Sequence, residues 1–322
     1  MIKILICGAT GFIGRNLVNY LSLNPDYNIF AVHNHKKPFE VTNAANKITW
    51  IKADLRNSKD VFKVINGMDI VIQAAATTSG SKDIVSKPYI HVTDNALMNS
   101  LLLRQAMESK VKHFIFFSCS VMYQSNEKAL KESDWDPTKE INNKYFGAAN
   151  TKIYIEKMLE FYSMISSMKT TAIRHSNIYG PFDKYDLEKS HVFGATITKV
   201  MTAEKDITVW GSGEEKRDVL YVDDLMNFVN LCIKNQSKQY RLYNCGSGES
   251  ISIKSLVSMI IEVSGKEIKI NHDLSKPTIK TNFCLDSDLA KRELDWTPKV
   301  KLPEGIAKTI NWWINNINPN KI

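Results

Sequence analysis

Residues 1–14, MIKILICGATGFIG, join a short apolar run to three glycines that recur at every third position. This pattern predicts a buried strand that ends in a tight turn and leads into a helix. In such a unit Gly8 forms the turn, Gly11 admits a ligand close to the backbone, and Gly14 lets the helix pack on the strand. The helix N-terminus presents amide groups and a positive dipole end to a phosphate. We therefore expect a dinucleotide pyrophosphate to contact Gly8, Thr10, Gly11, Phe12, Ile13 and Gly14.

Similar apolar runs return along the first half of the chain and alternate with amphipathic stretches. The runs are YNIFAVH, DIVIQAAA, HFIFFSC and TTAIR. Nearly continuous apolar strands that alternate with helices indicate a parallel sheet covered on both faces. Right-handed crossovers then give an α/β fold with a doubly wound, Rossmann-type sheet.

The pattern becomes irregular after about Arg174, where a loop rich in polar residues precedes a helix near Val192–Thr202. We assign residues 1–175 to a dinucleotide-binding domain, to which residues 218–246 return. Residues 176–217 and 247–322 form a smaller, interleaved substrate-binding domain. A cleft between two such domains is a frequent ligand site.

Composition and charge disfavour several classes of protein. The formal charge is +8, but the basic residues are spread along the chain rather than clustered as in nucleic-acid binders. No apolar run reaches the roughly 18 residues that a membrane span needs, and the N-terminus does not resemble a signal peptide. The five cysteines are scattered and lack metal-ligand spacing. We expect a soluble cytoplasmic protein with reduced thiols and no metal ion.

The end of the second predicted strand bears on the choice of cofactor. An acidic residue there would bind the ribose 2′-hydroxyl of NAD and repel the 2′-phosphate of NADP. This sequence has no carboxylate at 33–37, and it favours NADP(H), with NAD as the alternative. Further along, Asp54 and Leu55 follow the third strand and the alanines at 74–76 end the fourth. The additional cofactor contacts that we expect are Asn34, His35, Lys36, Asp54, Leu55, Ala74, Ala75 and Ala76.

Together these motifs resemble a known family. Six motifs occur in the order found in extended short-chain dehydrogenase/reductases that act on nucleotide sugars. They are GATGFIG, the DL at 54–55, AAA at 74–76, SCSVMY at 118–123, NIYGP at 177–181 and RDVLYVDD at 217–224. The stretch at 177–192 is similar to the branch that contains GDP-L-fucose synthase and related 4-keto-sugar reductases and epimerases. In that branch the residue matching His191 acts as an acid, which implies the same role here.

The resemblance implies a catalytic Tyr-x-x-x-Lys on a helix, in which the ammonium lowers the pKa of a phenol one turn away. Lys152 matches the lysine, but Ala148 stands where the tyrosine belongs. Tyr145 is about 10 Å from Lys152 along a helix axis, which predicts no direct contact, and Tyr154 points to another face.

Three interpretations of Ala148 follow. It is an engineered replacement, the protein is a pseudo-enzyme that binds without reacting, or another acid such as His191 or Cys119 serves. We favour the first, because Lys152 and the binding motifs are kept.

The resemblance also implies a hydroxyl at the end of the fifth strand. Counting back from Tyr123, this position is Cys119, with Ser118 and Ser120 as neighbours that a shift of one residue would select. A thiol with a lowered pKa can donate a proton. No acidic residue follows, which disfavours the dehydratases of the family and leaves a reductase, an epimerase or both.

Asn177 and Arg217 match family positions that meet the substrate diphosphate, and a guanidinium suits phosphate because it bonds it at two points. Lys199 adds positive charge on the following helix. The loops 78–91 and 181–190 are expected to select the base and sugar.

By resemblance, helices near 93–109 and 149–165 would form a homodimer interface. Its apolar residues would be Leu97, Leu101, Leu102, Met158 and Met164.

We thus expect an NADP(H)-dependent 4-keto reductase or epimerase acting on a nucleotide-diphosphate sugar, with GDP-linked sugars favoured. The alternative is a protein that binds NADP(H) without catalysis.

Overall fold

The computed structural model describes residues 1–77, 89–187, 190–276 and 281–317 of the chain. Within these ranges the strands are β1 (Ile2–Cys7), β2 (Tyr27–His33), β3 (Thr49–Lys52), β4 (Ile70–Gln73), β5 (His113–Phe117), β6 (Lys169–His175), β7 (Asn177–Tyr179), β8 (Asp206–Trp210), β9 (Lys216–Arg217), β10 (Val219–Tyr221), β11 (Tyr240–Cys245), β12 (Ile251–Ser252) and β13 (Lys269–Asp273). The helices described there are α1 (Phe12–Leu21), α2 (Ser58–Ile65), α3 (Tyr89–Glu108), α4 (Phe146–Ile165), α5 (Val192–Thr202), α6 (Val222–Asn235), α7 (Ile253–Ser264), α8 (Asp288–Leu294) and α9 (Leu302–Asn316).

Seven of the described strands form one parallel sheet in the order β11–β6–β5–β4–β1–β2–β3. Successive residues of β1 alternate between two apolar cores: Ile4 and Ile6 pack under α1 and α6, whereas Leu5 and Cys7 pack under α2, α3 and α4. Both faces are therefore covered, which confirms the predicted doubly wound α/β fold. The strand order reverses between β1 and β4, and ligands of such sheets bind at the carboxyl ends of the strands beside this reversal.

A separate apolar core joins α5, α7 and α9 with β8 and β13. Phe193, Ile197, Leu256, Ile310 and Trp313 are among its buried members. The helix expected near Val192–Thr202 is present as α5. Residues of this core come from both sides of the 218–246 segment, which is consistent with interleaved units.

The end of the chain departs from the expected division. Residues 247–322 were assigned to the smaller unit, but Ala290, Leu294 and Trp296 pack in the core beneath α1 and α6. The Trp296 indole also donates to the Asp224 carbonyl at 3.1 Å, which ties this segment to α6. An apolar helix face shows that α8 is buried but not which core receives it, so the sequence could not place it.

The described ranges contain neither a membrane-spanning helix nor a cluster of metal ligands. In them, no helix is long and apolar enough to cross a membrane. Among the same residues, no group of three or more His, Cys, Asp or Glu side chains is placed to hold a metal ion.

Candidate active site

The glycine turn lies between β1 and α1 at the strand reversal. Gly8 has φ +70°, in the left-handed region that favours glycine, and a side chain on it would meet the Ala75 backbone at 2.6 Å. A side chain on Gly14 would come within 2.1 Å of the Gly8 carbonyl oxygen. The turn thus needs glycine at both positions for its own packing.

The first turn of α1 is open to an anion. It contains no acidic residue, and Gly11 is its N-cap residue. Amide groups and the positive end of the helix dipole therefore act at this end without an opposing side-chain charge. Thr10, Phe12 and Ile13 lie in the same turn and are partly buried. These residues fit the pyrophosphate of a dinucleotide coenzyme. When bound, such a coenzyme would supply hydride chemistry.

The loop after β2 presents the polar residues expected near the adenosine. Asn34 is half-buried, whereas His35 and Lys36 are exposed. The guanidinium of Arg15 lies 4.3 Å from the centroid of the Phe39 ring and 4.1 Å from that of Phe182. The cation is therefore stacked between this loop and the turn that follows β7. The sequence analysis did not single out Arg15.

Asp54 and the alanines border the same crevice. Arg56 bonds Asp54 at 2.8 Å and holds the pKa of that carboxyl down to about 2, and it also reaches Asp94 at 3.1 Å. Leu55 beside it is buried. Residues 74–76 were expected to end the fourth strand, but β4 ends at Gln73 and they lie just beyond it. The Ala75 backbone lies against the Gly8 turn, and Ala75 packs partly buried against the core under α2, α3 and α4.

Lys152 and Cys119 lie together where β5 ends. Lys152 Nζ donates to the Phe117 carbonyl oxygen at 2.6 Å, which draws the ammonium to the carboxyl end of the sheet. Burial lowers the pKa of Lys152, and the neighbouring Cys119 partly opposes that shift. Burial raises the pKa of the Cys119 thiol, while the Lys152 charge lowers it. The thiol is therefore held mainly in its protonated form next to a cation.

The two serines beside Cys119 have other surroundings. Ser118 Oγ donates to Glu156 Oε1 at 2.5 Å inside a buried network, so this hydroxyl is committed to the protein interior. Ser120 is also buried, and its carbonyl accepts from the Tyr123 amide at 3.1 Å. Of the three neighbours, the structure brings Cys119 to Lys152. A functional role for Cys119 or Ser120 stays a prediction.

Two further side chains extend this group, and sequence reasoning missed or dismissed both. The phenol of Tyr145 lies within electrostatic range of the Cys119 thiol and the Arg217 guanidinium. His175 lies within range of both Lys152 and His191, and burial lowers the pKa of its ring to about 4. The signal for His175 was its place as the last residue of a buried parallel strand, at the edge where such sheets bind ligands.

His191 is the N-cap residue of α5. The ring keeps an exposed face, yet desolvation lowers its pKa and the charge of Lys184 lowers it further. A largely neutral imidazole at this edge can accept a proton, and it can donate one when protonated. The structure thus places His191 with the group at the sheet edge, and its acid role stays a prediction.

The predicted diphosphate contacts divide into two places. Asn177 Nδ2 donates to the Asp218 carbonyl at 2.9 Å and so lies next to Arg217. Arg217 donates to the carbonyls of Lys216 at 2.7 Å and Thr281 at 2.9 Å, which hold it beside the phenol of Tyr145. Lys199 instead donates to the Thr208 carbonyl on β8 at 3.0 Å.

Ala148 is exposed in the first turn of α4, one turn before Lys152 on the same helix face. Its methyl group carries no proton to exchange, so proton transfer at this edge depends on other groups. Of the loops expected to select the substrate, residues 78–88 and 188–189 lie outside the described residues.

What the described groups can do follows from their chemistry. A phenol, a thiol, two imidazoles and an ammonium lie at one edge of the sheet next to the glycine turn. Such groups move protons near an oxygen atom, and Arg217 beside them binds a negative charge. The arrangement suits the redox or epimerisation chemistry of a phosphorylated ligand.

Comparison with known proteins agrees with this geometry. Residues 4–246 match the model of the NAD dependent epimerase/dehydratase family. The chain is 28% identical to GDP-L-colitose synthase of Yersinia pseudotuberculosis over 324 residues, which cover 98% of this chain and 99% of that protein. It is 30% identical over 281 residues to GDP-L-fucose synthase of Sinorhizobium fredii, covering 84% of this chain and 87% of that one.

The fold comparison gives the same result. UDP-glucose 4-epimerase from Thermotoga maritima, solved with UDP-glucose, superimposes with a TM-score of 0.85 at 24% identity and covers 98% of this chain and 100% of that one. This likeness establishes the fold, and the match over residues 4–246 covers the glycine turn, Lys152 and Arg217 alike. The chain therefore belongs to the NAD dependent epimerase/dehydratase family of extended short-chain dehydrogenases/reductases.

Proposed function

We propose that the protein is an NADP(H)-dependent reductase or epimerase of a GDP-linked 4-keto-6-deoxy sugar. The observation that carries this proposal is the group of proton-moving side chains around Lys152 and Cys119, at the sheet edge beside the glycine turn. The names of the relatives at 28% and 30% identity, GDP-L-colitose synthase and GDP-L-fucose synthase, favour a GDP-linked substrate.

The preference for NADP(H) rests on charge. Residues 33–37 contain two histidines and two lysines but no carboxylate, so nothing in this loop repels a 2′-phosphate. Arg15 adds a cation stacked on Phe39 at the same end of the sheet. Its Nε is buried without a hydrogen-bond partner among the described residues, which leaves a donor for an anion.

Calorimetric titration with NADPH and NADH tests this preference. We expect tighter binding of NADPH in the native chain and loss of that difference in Lys36→Gln/Lys37→Gln. Equal affinity of the native chain for both coenzymes would contradict the preference, although the family assignment would stand.

The substrate diphosphate is assigned to Arg217 and Asn177, with Lys199 as a further positive charge on α5. Oxidation of NADPH in the presence of a GDP-4-keto-6-deoxyhexose is the direct assay, with the UDP-linked analogue as the control for the base. We expect turnover with the GDP-linked ketone and at least tenfold lower kcat/KM with the UDP-linked one. Product analysis by NMR at C3, C4 and C5 separates reduction from epimerisation, because only epimerisation inverts C3 or C5.

A second function is favoured by one observation, the exposed methyl group of Ala148 at the family's tyrosine position. A protein that binds NADP(H) without catalysis would take up coenzyme and sugar nucleotide but leave both unchanged. Comparison of the native chain with Ala148→Tyr distinguishes the interpretations. Turnover only in the tyrosine variant indicates an inactivated enzyme, as an engineered replacement would produce, and turnover in neither indicates a binding protein.

The proposed assembly is a homodimer formed through α3 and α4. Phe146, Tyr154, Phe161, Met164 and Ile165 are exposed on α4, and Leu97 is exposed on α3. Positions 146, 154, 161, 164 and 165 fall on one side of a helix, where they form an apolar stripe interrupted by Asn150 and Lys157, here called the α4 stripe. Burial of such a stripe against a second copy removes apolar surface from water.

For one residue of the expected interface, Leu102, the prediction is wrong. Leu102 is fully buried in the core under the sheet and cannot contact a partner, whereas Leu97 and Met164 are 45% and 72% exposed. A cytoplasmic location remains part of the proposal, because all five cysteines are unpaired thiols.

A further inference from the structure

The family's proton donor is missing at position 148, yet another phenol, that of Tyr145, lies within electrostatic range of Cys119. Tyr145 closes a short 3-10 turn, Asn143–Tyr145, and is the N-cap residue of α4. The Asn142 side chain accepts from the Lys144 amide at 3.1 Å, and the Asn142 carbonyl accepts from the Tyr145 amide at 2.8 Å. The backbone of Tyr145 is thereby fixed where α4 begins.

The side of α4 that faces away from Tyr145 packs on α3, and this contact sets the orientation of the helix. A side chain on Gly147 would meet the Val92 methyl group at 2.8 Å, so glycine here allows α4 to lie tight against α3. Tyr145 precedes Lys152 by seven residues, which is close to two full turns, and the two positions therefore face the same direction.

Both side chains lie within electrostatic range of one thiol. Cys119 lies within electrostatic range of the Lys152 ammonium and also of the Tyr145 phenol. The rise of about 10 Å along a helix separates the two backbones, but side chains of this length span several ångströms each. The predicted absence of a direct contact with Lys152 therefore does not exclude Tyr145 from the site.

Besides Cys119, the phenol of Tyr145 has a second charged neighbour, Arg217. It is the residue proposed to bind the substrate diphosphate, and its guanidinium is near enough to act on the charge of Tyr145. The phenol of Tyr145 is thus within electrostatic range of Cys119, the neighbour of Lys152, and of the residue proposed to bind the diphosphate.

Two other tyrosines with a claim to the role have different surroundings. The Tyr123 hydroxyl donates to Asn244 at 2.9 Å and accepts from Arg174 at 3.0 Å within the protein interior. Tyr154 is 48% exposed and belongs to the α4 stripe. Neither can replace the phenol that Ala148 lacks.

We propose that Tyr145 is the catalytic proton donor and acceptor at the sugar oxygen, in place of the tyrosine absent at 148. This inference rests on the proposed function. In reduction, a coenzyme held at the glycine turn would supply the hydride for the carbonyl carbon of the sugar. The carbonyl oxygen takes the proton of Tyr145 Oη, and the phenolate left behind regains a proton from water. The reverse oxidation moves both in the opposite direction.

Within the electrostatics of Tyr145, the Arg217 charge is what favours this role. Burial raises the pKa of the phenol, and the Arg217 charge opposes the shift. The hydroxyl is therefore protonated at neutral pH, which a donor to a carbonyl oxygen requires, and the cation beside it stabilises the phenolate that forms.

The test is Tyr145→Phe in the full chain, which keeps the ring and removes only the hydroxyl. With a GDP-4-keto-6-deoxyhexose and NADPH we expect kcat to fall about 100-fold, with the NADPH Kd and the melting temperature unchanged. Tyr154→Phe on the same helix is the matched control and should keep native kcat. Tyr145→Phe/Ala148→Tyr should regain activity, because it returns a phenol one turn before Lys152.

A readout without substrate complements the assay. Burial raises the pKa of several phenols, among them Tyr123 and Tyr145. Tyrosine ring NMR of the unliganded chain should lose one of these signals in Tyr145→Phe, and Arg217→Met should raise the pKa of that same phenol further.

The outcomes are distinguishable. If the native chain oxidises NADPH and Tyr145→Phe does so equally well, the role of Tyr145 is refuted and the proposed function stands. Loss of turnover in Cys119→Ala but not in Tyr145→Phe would likewise overturn it and assign the proton to the thiol. If neither the native chain nor Ala148→Tyr reacts while both bind NADPH, the proposed function itself fails.

Discussion

Three glycines in one turn differ in what an added methyl group would meet. On Gly14 it would overlap the Gly8 carbonyl oxygen, and on Gly8 it would meet the Ala75 backbone at an unfavourable φ. Gly11 has φ −82°, and its nearest neighbour, the Gly8 carbonyl oxygen, lies 3.3 Å from the position of an added Cβ. Folding therefore tolerates alanine at this position better than at the other two, and Gly11 is the residue of this turn at which folding and coenzyme binding can be separated.

Gly11→Ala should fold but bind coenzyme poorly. The methyl group would occupy the space into which a pyrophosphate approaches the backbone, so we expect the NADPH Kd to rise at least tenfold. Calorimetry measures the Kd, and a melting temperature within about 3 °C of the native value shows that the fold is kept. Gly14→Ala is the contrasting variant and should lower the melting temperature strongly. Native affinity in Gly11→Ala would rule out coenzyme binding at this turn.

His113 makes stability depend on pH. Its ring bonds the Thr171 hydroxyl at 2.7 Å, and burial lowers the pKa to about 3. As pH falls below about 6.5 the unfolded chain binds a proton here and the folded chain does not, so stability decreases until pH nears 3. From pH 6.5 to pH 5 this contribution is about 2 kcal/mol.

The measurement is urea unfolding at pH 6.5 and pH 5 for the native chain and His113→Gln. Glutamine keeps a polar partner for Thr171 and does not titrate, so the variant should lose less stability over this interval. Other groups, including Asp183 with a pKa raised to about 7, are common to both chains and cancel in the difference. Identical losses in the two chains would show that His113 does not control this dependence.

For single residues, the sequence predicted those roles that depend only on the local backbone geometry. Gly8 and Gly14 were identified because a strand–turn–helix unit needs glycine within a few residues. Tyr145 was dismissed because a helix axis measures backbone separation, whereas the site depends on where side-chain tips meet. Ser118, Cys119 and Ser120 were left unresolved, since only the partner of each side chain, such as Glu156 for Ser118, separates them.

One helix and one strand are joined by a buried ion pair that lies directly behind the candidate site. Arg174 of β6 and Glu156 of α4 are 2.7 Å apart, with side chains only 2% and 4% exposed. Glu156 follows Lys152 by one helical turn and also accepts from Ser118. The pair therefore fixes the helix that carries Lys152 against the strands that end at Phe117 and His175.

Removing one partner should destabilise the protein more than removing both. Arg174→Met leaves the Glu156 charge buried without compensation, and we expect about 3–5 kcal/mol lower free energy of unfolding. Arg174→Met/Glu156→Leu should recover much of this loss, as urea unfolding of the three chains will show. Arg104→Met removes the exposed partner of Glu108 and should leave the urea midpoint unchanged. If Arg174→Met proved as stable as the native chain, this account of the ion pair would be wrong.

At the scale of the whole molecule, periodicity predicted the doubly wound sheet, but it could not say which apolar face of a helix meets which neighbour. Leu102 and Leu97 both belong to the apolar pattern of α3, yet the first is buried and the second exposed. The same limit explains why α8 was placed with the wrong core. The exposed apolar residues of α4 are therefore a finding of the structure that the sequence only partly anticipated.

Disruption of the α4 stripe should convert a dimer into a monomer. Phe161→Glu places a charge in the middle of the stripe, where a second copy would have to bury it without a partner. Light scattering should give about twice the 36.6 kDa chain mass for the native protein and the single-chain mass for the variant. Phe62→Glu on α2 is the matched control, because Phe62 is 55% exposed and Phe161 is 53% exposed. A native mass of one chain would refute the dimer, and an unchanged dimer in Phe161→Glu would place its interface elsewhere.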